Sequence, residues 1–360
     1  MAKAYRSAIL ANMRTKADEK FVCPELIGKN DPLFVTWGTI VVPSQLTRVP
    51  DESTEIDIAI VRRSGEEMAG SLSAMRTSKE LVGQVMRGLR ETRGINSFTI
   101  TSLIPSVTRG GIDLLEEIPA ECSLTHGDSL ASAIAREQAA IIARHYLGKP
   151  ERQLTIALVG TGLIGSYLAP RFAQNFGRLI LIARSMNKLG HFVKSSISTE
   201  CQPKVSVGVD LGMIAEADIV VTATSSTATL LTREILASRG DKPLFILDVS
   251  VPPNVGPASW TEIEKTMPNV LRVDGSIVSI PDIDMNTVKI AGVAEGTIFS
   301  CWAEGMMHAG EREGQNHVGS IDPDYAKRVL RWMQRYAFQI APPTNFGQIV
   351  PPNVFKRLRG

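Results

Sequence analysis

The sequence predicts an α/β protein with a Rossmann-type doubly wound parallel sheet, an N-terminal α+β domain and a C-terminal helical segment. Three observations predict this architecture. An apolar strand at 154–159 leads into a glycine turn, and the helix and second apolar strand that follow complete a βαβ unit of about 30 residues. Short apolar runs, typical of buried parallel strands, then recur at 217–224 and 244–249. The expected divisions are an N-terminal domain over 1–128, a connecting helix over 129–150, the Rossmann domain over 151–280 and the C-terminal segment over 281–360.

The N-terminal domain shows strand and helix patterns in turn. Residues 34–42 and 55–61 are β-branched and partly alternating, as half-buried strands are. A serine-capped helix is expected over 78–93, because its apolar residues recur at helical spacing and a glycine follows its end. A further strand is expected over 97–103. The region is therefore expected to mix strands with one long helix.

The first sixteen residues, Met1–Lys16, carry four basic side chains and are expected to form a short amphipathic helix. They lack the apolar core and the cleavage-like site of a secretory signal. The most hydrophobic stretch, 154–170, is interrupted by three glycines and is better explained as strand, turn and helix than as a membrane span. A cytoplasmic protein without a membrane span is the expectation.

Helices are expected on both sides of the Rossmann domain. Asp128 or Ser129 caps a long alanine-rich helix that ends near Leu147. After Pro281 one helix is predicted over 288–307 and a second over 324–337, which ends the ordered part before a Pro-rich tail.

The glycine turn has the G-x-G-x-x-G spacing of a dinucleotide-binding loop, formed by Gly160, Gly162 and Gly165. The first glycine permits the tight turn, the second lets backbone N–H groups approach a pyrophosphate, and the third lets the helix pack closely. Ligands of such sheets lie beyond the carboxyl ends of the strands, so the loops at 224–226 and 248–252 are expected to face the cofactor. The predicted cofactor-binding residues of this turn and of the fourth strand's end are Gly160, Thr161, Gly162, Leu163, Ile164, Gly165, Thr224 and Ser225.

The end of the second Rossmann strand indicates which dinucleotide binds. A site selective for NAD has an acidic residue there, whereas this chain has Arg184 and Ser185, with Lys188 just beyond. A cation and a hydroxyl suit a 2′-phosphate, so NADPH is the predicted cofactor and these three residues join its predicted site. The alternative is a solvated basic turn.

The composition excludes several classes of function. The 360 residues carry 39 basic and 37 acidic side chains, a formal net charge of +2, so no polyanion-binding surface is indicated and no nucleic-acid partner is expected. The four cysteines are too scattered for a disulfide scaffold, and neither they nor the five histidines have metal-ligand spacing. No metal site is expected.

Cys301 is the candidate nucleophile. A thiolate can take an acyl group from a thioester and hold it as an acyl-cysteine while a nicotinamide delivers hydride and an aldehyde is released. Local sequence does not favour this role, because Glu304 lies one helical turn away and would raise the pKa of the thiol. His308 is about 10 Å further along a helix, beyond hydrogen-bond reach. A packing role in an apolar helix is the alternative.

The chain resembles a known family over roughly residues 75–320. The motifs that carry the resemblance are Gly127-Asp128-Ser129, Val159–Gly165, Ala183-Arg184, Ala217-Asp218-Ile219-Val220, Asp282-Ile283-Asp284 and Phe299-Ser300-Cys301-Trp302-Ala303-Glu304. They are similar to those of the cyanobacterial-type long-chain fatty acyl-[acyl-carrier-protein] reductases, which form fatty aldehydes with NADPH, and more distantly to glutamyl-tRNA reductase. The resemblance implies that Cys301 is the acyl-accepting nucleophile.

The chain also departs from that family. Residues 1–70 match it poorly, the stretch 101–105 lacks the family's glycines, and Gly160-Thr161-Gly162 stands where the family has G-A-T-G. The leading hypothesis is NADPH-dependent reduction of an acyl thioester, carried by acyl carrier protein or CoA, through an acyl-Cys301 intermediate.

Two alternatives stay open: an NADP-linked dehydrogenase of a ketone or imine, and a non-catalytic NADP(H)-sensing protein. His126 is a candidate general acid, and the favoured alternative is that it is an ordinary histidine of a surface loop.

Overall fold

The computed structural model describes residues 5–27, 32–49, 51–285, 288, 290 and 292–356. These residues form two compact units. The first contains the described residues up to 130 together with those of 278–291 and 295–339. The second contains those of 131–277, 292–294 and 340–360. The predicted C-terminal segment is thus divided between the units.

The strands of the described chain are, in order, β1 Tyr5–Asn12, β2 Phe34–Val42, β3 Thr54–Val61, β4 Ser97–Ile100, β5 Ser123–Thr125, β6 Thr155–Val159, β7 Arg178–Ile182, β8 Val205–Gly208, β9 Ile219–Thr222, β10 Leu244–Asp248, β11 Val270–Asp274, β12 Ile277–Ser279, β13 Thr297–Phe299, β14 Gln339–Ile340, β15 Thr344–Asn345 and β16 Gln348–Ile349.

The α-helices of the described chain are α1 Glu19–Val22, α2 Gly65–Ala69, α3 Leu72–Arg93, α4 Ile104–Val107, α5 Asp128–Ile141, α6 Leu163–Asn175, α7 Met186–Ser196, α8 Arg233–Ala237, α9 Pro257–Thr266, α10 Ser300–Gly310, α11 Pro323–Arg335 and α12 Pro352–Phe355. Helix α5 continues into a π-helical turn, Ile142–Tyr146. In the described ranges, no helix has the length and apolarity needed to cross a bilayer.

The first unit is built on a five-stranded sheet of order β2-β3-β1-β4-β5. Strand β2 is antiparallel to β3, and the other neighbours are parallel. Helix α3 covers one face with a row of buried apolar side chains that includes Leu81, Val85 and Leu89. Helix α10 packs on the sheet at β1 and β4, where a Cβ added to Gly305 would lie 2.7 Å from Thr99 Oγ1 and 3.1 Å from Ile9 Cγ1.

The central strand of this sheet, β1, occupies the place where the sequence predicted an amphipathic helix, and that prediction was wrong. Ala8, Ile9 and Leu10 are fully buried. A parallel strand covered on both faces has a continuous apolar run instead of an alternating one, so this four-residue run between polar flanks did not show a strand period. The strand forms by pairing with β3 and β4, which are distant in sequence.

The second unit confirms the predicted Rossmann-type fold. The six strands of its main sheet are all parallel and lie in the order β8-β7-β6-β9-β10-β11. The chain therefore runs outward from β6 in one direction and, after a crossover, outward from β9 in the other. The point between β6 and β9 where the order reverses is where such sheets bind dinucleotides.

The C-terminal predictions need two corrections. The helix predicted from 288 begins only at Ser300, after the short strand β13, and residues 286, 287, 289 and 291 lie outside the described residues. The Pro-rich tail is also part of a core: Val350 and Phe355 are buried in the second unit, and the Phe355 ring stacks 4.1 Å from that of Tyr146.

We expect Leu10→Ala to lower the free energy of unfolding by about 2–5 kcal/mol, because it leaves a cavity in the central strand of the first unit. Leu72→Ala is the matched control: Leu72 is 85% exposed, so its loss should change stability by no more than about 0.5 kcal/mol. Urea denaturation measures both. Equal effects would contradict the assignment of β1 to the core.

Candidate functional site

The glycine turn lies at the carboxyl end of β6, and its three glycines differ in backbone conformation and in how closely other atoms approach them. Gly160 has a φ of +105°, and a Cβ there would lie 2.3 Å from Ala223 O. A Cβ on Gly165 would lie 2.1 Å from Gly160 O, so this glycine lets α6 pack against the turn. A Cβ on Gly162 would meet no atom within 4 Å. The backbone is thus crowded at the first and third glycines and open at the second.

Gly162 is also the N-cap of α6, a 13-residue helix, and no side-chain oxygen caps that helix. The N–H groups of Leu163 and Ile164 belong to its first turn, where backbone donors and the helix dipole favour an anion. An open approach at Gly162 and an uncapped helix N-terminus together fit a pyrophosphate.

The loop after β9 closes the other side of the turn. Thr224 Cγ2 lies 3.0 Å from the Cβ position of Gly160, and the Thr224 N–H donates to Ser250 Oγ at 3.0 Å. The Thr224 hydroxyl donates to Asn254 Oδ1 at 2.9 Å. Ser225 is exposed. Within the second unit, the structure therefore brings Thr224 to the glycine turn.

Asp248, expected to face the cofactor, is instead buried in a structural network. Its carboxylate accepts from Thr222 Oγ1 at 2.6 Å and forms an ion pair with the buried Arg272 at 3.2 Å. It also accepts the N–H groups of Asn254 and Val255. Because these contacts surround a carboxylate that has no exposed surface, Asp248 holds the loop after β10 in place and does not present its charge outward.

The predicted phosphate-binding residues follow the end of β7. Arg184 is exposed, two residues past the strand, and Ser185 is the N-cap of α7, where its hydroxyl accepts from the Lys188 N–H at 3.4 Å. The spacing of Ser185 and Lys188 is thus also explained by helix capping. Arg184 makes no ion pair with any residue in the described part of the chain. Its role in NADPH selection stays a prediction.

Cys301 lies in the first unit, in the first turn of α10, not in the interior of a helix as the sequence indicated. It is half-buried. Desolvation and then the carboxyls of Asp128 and Glu304 raise the pKa of its thiol, while the N–H groups of Trp302 and Cys301 itself oppose this. The helix N-terminus favours the thiolate, and the two neighbouring acids favour the thiol.

A glycine holds Cys301 against the loop between β5 and α5. Gly127 has a φ of +71°, and a Cβ there would lie 2.8 Å from Cys301 Cβ and 3.0 Å from Cys301 O. Only a residue without a side chain leaves room for the cysteine. The first turns of α5 and α10 consequently meet at Cys301.

Glu304 ties the same two helices together. Its carboxyl accepts from the Leu130 N–H at 2.7 Å and from Thr125 Oγ1 at 2.6 Å, and the side chain is fully buried. Burial raises the pKa of Glu304 to about 7, against these hydrogen bonds, which lower it. Asp128, beside it in α5, is half-buried, and burial together with Glu304 raises its pKa to about 8.

His126 is not the surface-loop histidine that the sequence favoured; it is 1% exposed. Its Nδ1 accepts from the Asp128 N–H at 3.0 Å, which leaves the proton of the neutral ring on Nε2. Burial and then the charge of His317 lower the pKa of His126 to about 4. Its ionisable neighbour is thus His317, whereas the ionisable neighbours of Cys301 are Asp128 and Glu304.

A buried series of hydrogen-bonded polar side chains lies behind Glu304, and it was not predicted from the sequence. The Tyr325 hydroxyl bonds Glu304 and lies 2.9 Å from His308 Nδ1, and His308 Nε2 lies 3.0 Å from Ser123 Oγ. Burial lowers the pKa of His308 to about 3, so its ring is neutral at physiological pH. The one local signal for this network was that His308 follows Glu304 by one helical turn. The hydrogen-bond partners of His308 come from β5 and α11, which only the tertiary fold brings near.

Comparison with known proteins supplies the distant relationships. The shikimate/quinate 5-dehydrogenase family matches residues 142–271. Glutamyl-tRNA reductases are similar over more of the chain: that of Myxococcus xanthus is 23% identical over 199 residues, 54% of this chain and 43% of the relative, and that of Caldivirga maquilingensis is 28% identical over 221 residues, 59% of this chain and 48% of the relative. The predicted distant resemblance to glutamyl-tRNA reductase is confirmed. The chain spans about half the length of these curated relatives.

Among solved structures, L-tryptophan dehydrogenase from Nostoc punctiforme is 11% identical with a TM-score of 0.41, over 93% of this chain and 80% of that one. Glutamyl-tRNA reductase from Methanopyrus kandleri is 13% identical with a TM-score of 0.31, over 71% of this chain and 65% of that one. The resemblance to acyl-ACP reductases stays a prediction.

The raised pKa of Glu304 predicts a stability effect with a defined sign. Between pH 4.5 and about 7 the unfolded chain has lost this proton while the folded chain keeps it, so the wild type loses stability as pH rises. Relative to Glu304→Gln, the loss should be about 1.4 kcal/mol per pH unit inside this window.

Chemical denaturation of both proteins across the window measures this difference. The exposed Glu264→Gln serves as the control and should follow the wild-type pH profile. A constant difference between wild type and Glu304→Gln at every pH would show that the carboxyl ionises normally.

Proposed function

We propose that this protein is an NADPH-dependent reductase of acyl thioesters, which accepts the acyl group on Cys301 and releases an aldehyde. The observation that carries the proposal is the setting of Cys301: a half-buried thiol at a helix N-terminus, held against Gly127. A cysteine kept for packing needs neither a neighbouring glycine with positive φ nor two carboxyls beside it. The distant similarity to proteins named glutamyl-tRNA reductase supports the same class of chemistry.

The residues around Cys301 have separate roles in this proposal. The first N–H groups of α10 stabilise the thiolate that attacks the thioester carbonyl. Glu304 fixes the first turn of α5 beside it through Leu130 and Thr125. The Ser129 hydroxyl, buried in that turn, has no hydrogen-bond partner among the described residues and could donate to a substrate oxygen.

The glycine turn of the second unit fits a dinucleotide, because Gly162 leaves an open approach to the uncapped first turn of α6. When bound, NADPH supplies the hydride that reduces the acyl carbonyl. Gly162, Leu163, Ile164 and Gly165 would hold the pyrophosphate, and Arg184 would bind the 2′-phosphate. Acyl carrier protein and CoA are the two candidate carriers, and a cytoplasmic location is part of the proposal.

Acylation should be visible directly. Incubation of the wild type with short-, medium- and long-chain acyl-CoA or acyl-ACP, without NADPH, should add the mass of one acyl group on the peptide that contains Cys301. Cys301→Ala should show no adduct and no aldehyde, because the nucleophile is gone. Cys201→Ala, a half-buried cysteine of the second unit, is the control and should behave as wild type.

Two results would reject the covalent route. Aldehyde formation by Cys301→Ala at the wild-type rate would do so, as would turnover of a free ketone or imine without any adduct. NADPH binding without any acyl-dependent oxidation would instead indicate a sensor.

Cofactor choice has its own test. Arg184→Ala should weaken NADPH binding about 10- to 100-fold, because a charge-assisted contact to phosphate contributes about 1.5–3 kcal/mol. NADH binding should be unchanged. Arg152→Ala is the control, since Arg152 is exposed and precedes the opposite, amino end of β6. Fluorescence titration gives both dissociation constants; an equal loss for the two cofactors would show that Arg184 does not contact the 2′-phosphate.

A further inference from the structure

The reaction of a cysteine with an alkyl thioester requires a proton to move between two sulfur atoms. Cys301 must lose its Sγ proton to become a nucleophile, and the carrier thiolate must gain one as it departs. This requirement rests on the proposed function. The structure supplies a small number of groups able to meet it, because the ionisable neighbours of the thiol among the described residues are Asp128 and Glu304.

Glu304 is poorly placed for this transfer. Both of its oxygens are already bonded, one to Thr125 and one to the Leu130 N–H, and the side chain is fully buried. Its carboxyl therefore serves as a positioning group between α5 and α10. His126 is equally unsuited, because it is buried and its Nδ1 accepts the Asp128 N–H.

Asp128 lies between two fixed contacts. Residue 127 before it touches Cys301, and Leu130 after it bonds Glu304, so the first turn of α5 runs alongside the first turn of α10 at Asp128. Asp128 and Cys301 are both half-buried, whereas Glu304 and His126 beside them are buried. The acid and the thiol are thus the two ionisable groups of this cluster that retain access to a substrate.

We propose that Asp128 carries the proton from Cys301 Sγ to the departing thiolate sulfur of the substrate. The Asp128 carboxylate accepts the thiol proton as Sγ bonds to the thioester carbonyl carbon and the carrier C–S bond breaks. The carboxylic acid then donates that proton to the carrier thiolate, which leaves as a free thiol. One S–H and one C–S bond break, one C–S and one S–H bond form, and Asp128 ends as it began.

The electrostatics of the cluster suit a group that must work in both directions. Efficient transfer needs an acid whose pKa lies near the working pH. Burial and the neighbouring Glu304 raise the pKa of Asp128 to about 8. The ionisable groups around Asp128 are Cys301 and Glu304 from α10, together with His126, whose lowered pKa keeps it neutral. Tyr325 from α11 packs against Glu304.

The test uses Asp128→Asn, which keeps the shape of the side chain and removes its ability to exchange a proton. Single-turnover release of free carrier thiol from acyl-CoA, without NADPH, should slow by about 100-fold or more. With an acyl ester of thiophenol, whose thiolate leaves without protonation, the factor by which Asp128→Asn slows the reaction should be at least about 10-fold smaller than with acyl-CoA. Asp324→Asn, an exposed aspartate of α11, is the matched control and should match wild type with both esters.

A second readout separates chemistry from misplacement. Above pH 8, where Asp128 is ionised, the rate of Cys301 alkylation by iodoacetamide should stay the same or rise in Asp128→Asn, because a neighbouring negative charge that disfavours the thiolate is removed. Wild-type acylation rates in Asp128→Asn, or equal losses with CoA and thiophenol esters, would overturn the assignment of Asp128. Absence of any Cys301 adduct in the wild type, with either ester, would instead overturn the proposed function itself.

Discussion

The contact between Gly127 and Cys301 is the constraint on which the candidate site depends. It brings the N-termini of two helices to one cysteine, and it requires a glycine because a Cβ would lie 2.8 Å from that of the cysteine. Glu304 then fixes the pair through hydrogen bonds to β5 and to the first turn of α5. Backbone conformation, close packing and a buried carboxyl thus act on the same few residues.

Opposing electrostatic effects meet at this sulfur. The backbone N–H groups of α10 favour the thiolate, while burial and two carboxyls raise the pKa of the thiol. Cys301 therefore rests in its protonated form, which is less reactive toward oxidants and stray electrophiles than a permanent thiolate. In the proposed reaction, such a thiol becomes a nucleophile only when a substrate and a proton acceptor are both in place.

The Rossmann unit could be predicted well from sequence, because its signals are local. The glycine spacing and the apolar runs of β6, β7, β9 and β10 lie within short windows, and the sheet is parallel and doubly wound as predicted. The first unit was harder. The apolar run of strand β1 is only four residues long and becomes part of a strand through distant partners, and α10 begins at Ser300 because β13 precedes it.

The candidate site divides in the same way. Cys301 and the three glycines could be found from motif and resemblance, whereas the partners of Glu304 lie 174 and 179 residues away in sequence. His126 looked like a loop residue, since nothing near it in sequence predicts its burial. Asp248 lies at the carboxyl end of its strand as expected, but its partner Arg272 comes from the neighbouring strand.

The stacking of Phe355 on Tyr146 makes helix α12 an internal part of the second unit. A deletion that begins at Ala341 would strip two buried apolar side chains, Val350 and Phe355, from the hydrophobic core around the sheet. Anyone shortening this protein for crystallisation should accordingly leave helix α12 intact, and an affinity tag is better separated from that helix by a spacer.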